Sequence, residues 1–366
     1  MRLMGWNANT NLTFGSFHID IAPIIIVAFF TTLLVFGTKI GARVDGAMTV
    51  LKIAIVFFVV IVGFFYVKAS NFTPFIPPSQ PASTVEGSSA VTGVMTQPLW
   101  QFATGMTPSV YGVPGILSGA ALVFFAFIGF DVVATASEET KNPHKNVPLG
   151  IGVGMLLIIV MYMLVAVVTT GMVSYADLAK QDSPSLATAF ELVGADWAAK
   201  IISFGIVLGL ATVVMVLLLG LTRIVFAMSR DGLLPRGLSK TGKHGTPAAL
   251  QIVVGAVVAL VAAFFDIGVL SDMVNIGTLS AFTLVAISIP IMRKKRPDLP
   301  RAFKMPGSPW IPILIAVANF WLMLNLSVLT WIRFVVWLVV GFAIYFGYGY
   351  RHARLGAGEL EVAAQE

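Results

Sequence analysis

The chain has 366 residues, 57% of them hydrophobic and only 11% charged, with a mean hydropathy of +0.91 and a formal net charge of +6. A soluble domain carries about 25% charged residues, so a chain this long has too few charges to clothe a water-facing surface, and lipid must solvate much of its exterior. The lack of cysteine excludes disulfides and thiolate metal sites. The four histidines (His18, His144, His244, His352) have no metal-ligand spacing, and no cofactor motif is present. The lysines and arginines sit in short connections between apolar runs, where they read as topology signals rather than as a nucleic-acid patch.

A hydrocarbon core about 30 Å thick takes roughly 20 apolar residues as helix. The apolar runs predict nine spans and an all-α, polytopic fold. In chain order they run from Ile21 to Thr38, Ala47 to Val67, Gly115 to Ser137, Gly150 to Val173, Ala198 to Ala227, Leu250 to Phe265, Val269 to Ile291, Ile311 to Leu329, and Ile332 to Tyr350. The last two are joined by only Thr330 and Trp331, which predicts a tight helical hairpin. One set of connections holds Lys39, Arg43 and Lys52, then Lys141 and Lys145, then Arg230, Arg236, Lys240 and Lys243, then Arg293 through Arg296, Arg301 and Lys304, and finally Arg351 and Arg354. The opposite set holds only Arg2, Lys68, Lys180, Lys200 and Arg333. The positive-inside rule therefore puts the tail 351–366 in the cytoplasm and, for nine spans, the N-terminus outside. That odd arrangement is the first hint of missing upstream helices.

Two external connections stand out. Residues 69–114 are rich in Pro, Ser, Thr and Gly and are expected to be irregular. Residues 174–197 carry a helix signal, with Ser183 as N-cap and Pro184 at the first helical position, and Leu186, Ala189, Phe190 and Val193 forming an apolar face. Trp310, Trp331, Trp337 and Tyr345 near span ends read as interfacial anchors.

The third span holds the most informative residues. Gly129 and Asp131 sit together near its middle. Glycine weakens a helix by about 1 kcal/mol relative to alanine, and a mid-depth carboxylate costs about 2.5–3.5 kcal/mol. Such residues persist where a helix breaks and lines a polar cavity, or where Gly129 permits close packing and Asp131 pairs with a neighbour. Lys52 lies one and a half turns into the second span, either snorkelling to the interface or buried as a proton-exchanging amine. Glu138 and Glu139 close the third span as a solvated helix end. Arg223, Arg230 and Asp231 lie around the inner end of the fifth, where they would anchor the interface or pair as a gate. Thr212 and Asn275 offer side-chain oxygens within spans, although hydroxyls in helices commonly bond their own backbone.

These residues carry a resemblance. Phe124 to Asp131, followed by Glu138-Glu139-Thr140-Lys141-Asn142-Pro143, resembles the sixth helix of the amino acid–polyamine–organocation superfamily, closest to its cationic amino acid transporter family. Tyr66-Val67-Lys68 with Phe72 to Pro78, Thr222-Arg223-Ile224 through Pro235, and Arg296 to Phe303 resemble three further segments of that family in the same order. The resemblance implies two inverted five-helix repeats plus two trailing helices, of which this chain would hold helices four to twelve and lack the first three. It implies a secondary active amino acid permease of the plasma membrane, working by alternating access and coupled to protons, with an amino acid, protons and the lipid bilayer as its partners. Phe127, Ile128 and Gly129 would form the break that takes the substrate ammonium, and Phe130 would wall the pocket. Lys52 would occupy the place of a coupling ion, faced by Thr212. The alternative is a truncated fragment or a partner subunit that transports nothing.

Overall fold

The computed structural model describes residues 11–14, 17–36, 38–82, 93–130, 140, 142–181, 184–239, 247–265, 267–298, 301, 305 and 307–353. Among them are nine apolar helices at the nine predicted places. Five are long and apolar enough to cross a membrane, and four are shorter. They fall into two compact units, the first built from residues 1–71, 160–266 and 339–366, the second from 72–159 and 267–338.

The first unit opens on a two-stranded hairpin, β1 (Asn11–Phe14) and β2 (Phe17–Asp20), paired antiparallel with Phe14 opposite Phe17. Helices α1 (Ile21–Phe36) and α2 (Thr38–Phe64) follow. The chain returns through the latter part of α5 (Pro143–Met172), two short helices, α6 (Tyr175–Ala179) and α7 (Leu186–Leu192), and the long α8 (Asp196–Arg230) and α9 (Ala248–Phe264). One core gathers Val59, Val168, Met172, Phe190 and Ile202. Gly63 makes it possible, because a Cβ there would press on Val168, Met172 and Phe190. A second core joins Val27, Phe30 and Leu34 of α1 to Met215 and Leu218 of α8 and Leu250 and Val254 of α9.

Ser183 and Asp182 lie outside the described residues, and the cap of α7 is Ser185, not Ser183. Ser185 has extended backbone and its Oγ accepts the Thr188 N–H at 3.1 Å, so Pro184 precedes the helix instead of starting it. Helix α6 is closed likewise. Ser174 Oγ accepts the Asp177 N–H at 3.2 Å and donates to the Asp177 carboxylate at 2.7 Å.

The second unit holds α3 (Leu99–Thr104), the short pair β3 (Gln80–Pro81) and β4 (Ser109–Val110), α4 (Gly112–Val123) with a 3₁₀ turn from Phe124 to Phe127, the first part of α5, and α10 (Ile267–Lys295), α11 (Trp310–Leu324) and α12 (Val328–Ile344), whose last residues continue into the first unit. The described residues of the stretch 69–114, 69–82 and 93–114, are therefore more ordered than its composition suggests, with a buried edge. Met95 and Gln97 carbonyls take the N–H groups of Leu329 and Val328, and Leu99 N–H bonds Leu326 O. Trp100 Nε1 donates to Asn325 Oδ1 at 2.9 Å and stacks on Trp321.

The link between α11 and α12 is Asn325–Ser327, not Thr330 and Trp331, which lie within α12. Ser327 Oγ accepts the Thr330 N–H and so starts the helix early. Trp331 turns inward: its Nε1 donates to Met323 O at 2.9 Å, and its ring meets Phe320 and Phe334. Trp310 and Trp337 are exposed, as anchors would be.

The outer helix faces are apolar. Leu156, Leu314 and Val339 are all more than 60% exposed, and only 6% to 28% of each long span is buried within the protein. Apolar surface on that scale is stable only in hydrocarbon.

Candidate functional site

In the second unit the helix that begins at Gly112 stops at Phe127. Ile128 is extended (ψ 140°) and Gly129 has φ +118°, a conformation that favours glycine. The chain thus leaves the helical ladder within an apolar segment, its last turn closed by the Ile128 N–H, which bonds Phe125 O at 3.3 Å. Among the described residues no heavy atom lies within 4 Å of where a Cβ on Gly129 would stand, so there the glycine serves the backbone conformation and not close packing. Phe130 packs on Phe282 of α10 at 5.1 Å between ring centroids, and Phe124 meets the same ring at 6.1 Å. Asp131, Glu138 and Glu139 fall outside the described residues.

In the first unit Lys52 of α2 is half-buried, and its stem crosses Gly209 of α8. Its Cγ and Cε both lie 3.8 Å from where a Gly209 Cβ would be. Thr212 is buried, and its hydroxyl donates to the Gly209 carbonyl at 2.9 Å. The fold thus brings Lys52 and Thr212 to the same glycine. Among the described residues the Lys52 ammonium has no ion pair. One turn earlier, Gly205 takes Ile55 against its bare Cα.

Arg230 Nε pairs with Asp231 Oδ1 at 3.5 Å, and both side chains are about half exposed. A pair between adjacent surface residues ties no two elements together and contributes about 0–1 kcal/mol. Arg223 is half-buried on the same helix. The turn after α8 is held instead by Ser229, fully buried, whose hydroxyl donates to Pro235 O at 2.6 Å.

A cavity of about 520 Å³ opens in the first unit beside Tyr66, Lys68, Asn71, Met172, Asp177 and Leu192. Asp177 stands in it already engaged by Ser174 and Lys180, and these hydrogen bonds hold its carboxyl below the usual range, the Ser174 bond most.

Sequence reasoning missed one polar group. Asp272 in α10 accepts a hydrogen bond from Thr330 Oγ1 of α12 at 3.1 Å, and Thr330 Oγ1 lies 2.7 Å from Ser327 Oγ. Asn275, one turn on, is fully buried, donates to Leu122 O at 3.4 Å and leaves its Oδ1 without a partner among the described residues. The signal was present as an acid and an amide three residues apart in an apolar run, which share one helix face.

The nine apolar helices among the described residues, one of them ending at Phe127 inside an apolar run, define a multi-pass helical membrane protein. The chain belongs to the amino acid permease family, whose sequence pattern matches residues 5–348, and this is a family of transporters, not enzymes. It is 41% identical over 343 residues to the branched-chain amino acid permease of Bacillus subtilis (strain 168), covering 93% of this chain and 66% of that protein. It is 38% identical to the methylthioribose transporter of the same organism, over 90% of this chain and 64% of the other. The vacuolar cationic amino acid transporter 4 of Arabidopsis thaliana is 34% identical over 76% of this chain and 42% of its own length. The chain spans about two thirds of the length of the bacterial relatives it matches.

Proposed function

We propose that the chain acts as an amino acid permease of the plasma membrane that carries its substrate by alternating access with proton coupling, its C-terminal tail in the cytoplasm. The turn at Ile128–Gly129 carries this assignment: the helix ends at Phe127 within an apolar span, with Ile128 extended and Gly129 at positive φ, at the place where the family resemblance puts the substrate ammonium. Phe127 and Phe130 give that place an apolar character suited to an aliphatic side chain, and branched-chain permeases are among the relatives. Lys52 supplies a cation beside Gly209 and Thr212 that gains and loses a proton through the cycle.

The experiment is uptake of radiolabelled leucine, lysine and methylthioribose into liposomes holding the chain, with and without an inward proton gradient. Gradient-stimulated leucine uptake that disappears in Lys52→Ala supports the proposal. Uptake by Lys52→Ala with unchanged gradient dependence removes the role of the lysine, and no uptake of any solute leaves the fragment or partner-subunit alternative standing.

A further inference from the structure

We propose that Asp272 is a proton-binding site of the second unit and that Thr330 and Ser327 form the hydroxyl relay joining its proton state to the turn between α11 and α12. Asp272 is the sole acid of α10. Intramembrane carboxylates are costly when charged and mark proton or ion routes. Of the elements packed on α10, neither α4, nor its 3₁₀ turn, nor α11 carries a charged residue, and on α12 the charged group that faces the carboxylate is Arg333.

The hydrogen-bond directions follow from counting protons. Thr330 is fully buried and has one hydroxyl hydrogen, which it gives to Asp272 Oδ2. The 2.7 Å contact with Ser327 must then be donated by Ser327, whose own Oγ accepts the Thr330 N–H at 3.2 Å. With Asp272 ionised, both hydroxyls point toward the carboxylate. When Oδ2 takes a proton, it becomes a donor to Thr330 Oγ1, the Thr330 hydroxyl swings to Ser327, and the Ser327 hydroxyl turns away. One proton is gained, no covalent bond other than that O–H forms, and the relay reverses its polarity. Asn275 extends the same face of α10 to Leu122, on the helix that ends at the Ile128–Gly129 break, so the proton site and the interrupted segment are joined within one unit.

The test titrates the whole chain in lipid nanodiscs by infrared difference spectroscopy. A component of the carboxyl C=O band that appears on acidification is expected in the parent and lost in Asp272→Asn, the components of the other acids remaining. Its midpoint is expected to move in Thr330→Val and to return in Thr330→Ser, which keeps the hydroxyl. A band unchanged in Asp272→Asn, or a midpoint indifferent to Thr330→Val, overturns the inference. The transport arm rests on the permease assignment: the pH dependence of leucine uptake is expected to flatten in Asp272→Asn, and a profile superimposable on the parent's also overturns the inference. Uptake absent from the parent would instead count against the permease assignment, while the spectra still decide the role of Asp272.

Discussion

Two glycines one turn apart on α8 should respond oppositely to the same substitution. At Gly205 an added Cβ would overlap Ile55 Cδ1 and stand 3.0 Å from its Cγ2, in a buried contact between α2 and α8. At Gly209 the same Cβ would find Lys52 Cγ and Cε at 3.8 Å, an ordinary van der Waals distance. Overpacking costs about 1–3 kcal/mol, and replacing glycine by alanine in a helix returns at most about 1 kcal/mol. Gly205→Ala is therefore expected to destabilise by about 0–3 kcal/mol and Gly209→Ala to be neutral or stabilising by up to about 1 kcal/mol, on the same principles. Thermal unfolding of the purified chain in one detergent, compared across the parent and both variants, measures the difference. Ile55→Val removes the overlapping Cδ1 and should recover most of the Gly205→Ala loss. If Gly205→Ala melts above the parent, or Gly209→Ala melts below it, the close packing of Ile55 on Gly205 is refuted.

Gly129→Ala meets no neighbour among the described residues but must hold φ +118°, a cost of about 1–3 kcal/mol; the variant should fold and lose most leucine uptake, and unimpaired uptake would refute the need for the break. Asn325→Ala removes the acceptor of Trp100 and the donor to Trp321, with a stability loss of about 1–3 kcal/mol in the same melt, partly restored in Asn325→Asp, which keeps the acceptor for Trp100. Asp177 titrates below its ordinary value, so its small contribution is present above the unfolded pKa and lost as pH falls through the folded one. Ser174→Ala should raise its midpoint toward the ordinary carboxylate value by carboxyl NMR, and an unmoved midpoint would deny the cap its electrostatic role.

Hydropathy by itself determined the nine helices and their order, because in lipid a backbone must satisfy its own hydrogen bonds and a helix does so from local sequence alone. The pause at Gly129 was legible for the same reason: glycine beside a carboxylate in an apolar run has a local cost that the sequence displays. Helix edges and partners were not. Thr330 and Trp331 look like a linker until Ser327 caps the helix before them and Met323 takes the indole N–H. Ser183 before Pro184 reads as the cap until the backbone at Ser185 extends and its hydroxyl takes the Thr188 N–H. Asp272 gained meaning only when α12 set Thr330 against it, fifty-eight residues away in sequence. Burial in a bilayer is decided residue by residue, but which polar group meets which is decided by packing between helices, and only the tertiary structure carries that information.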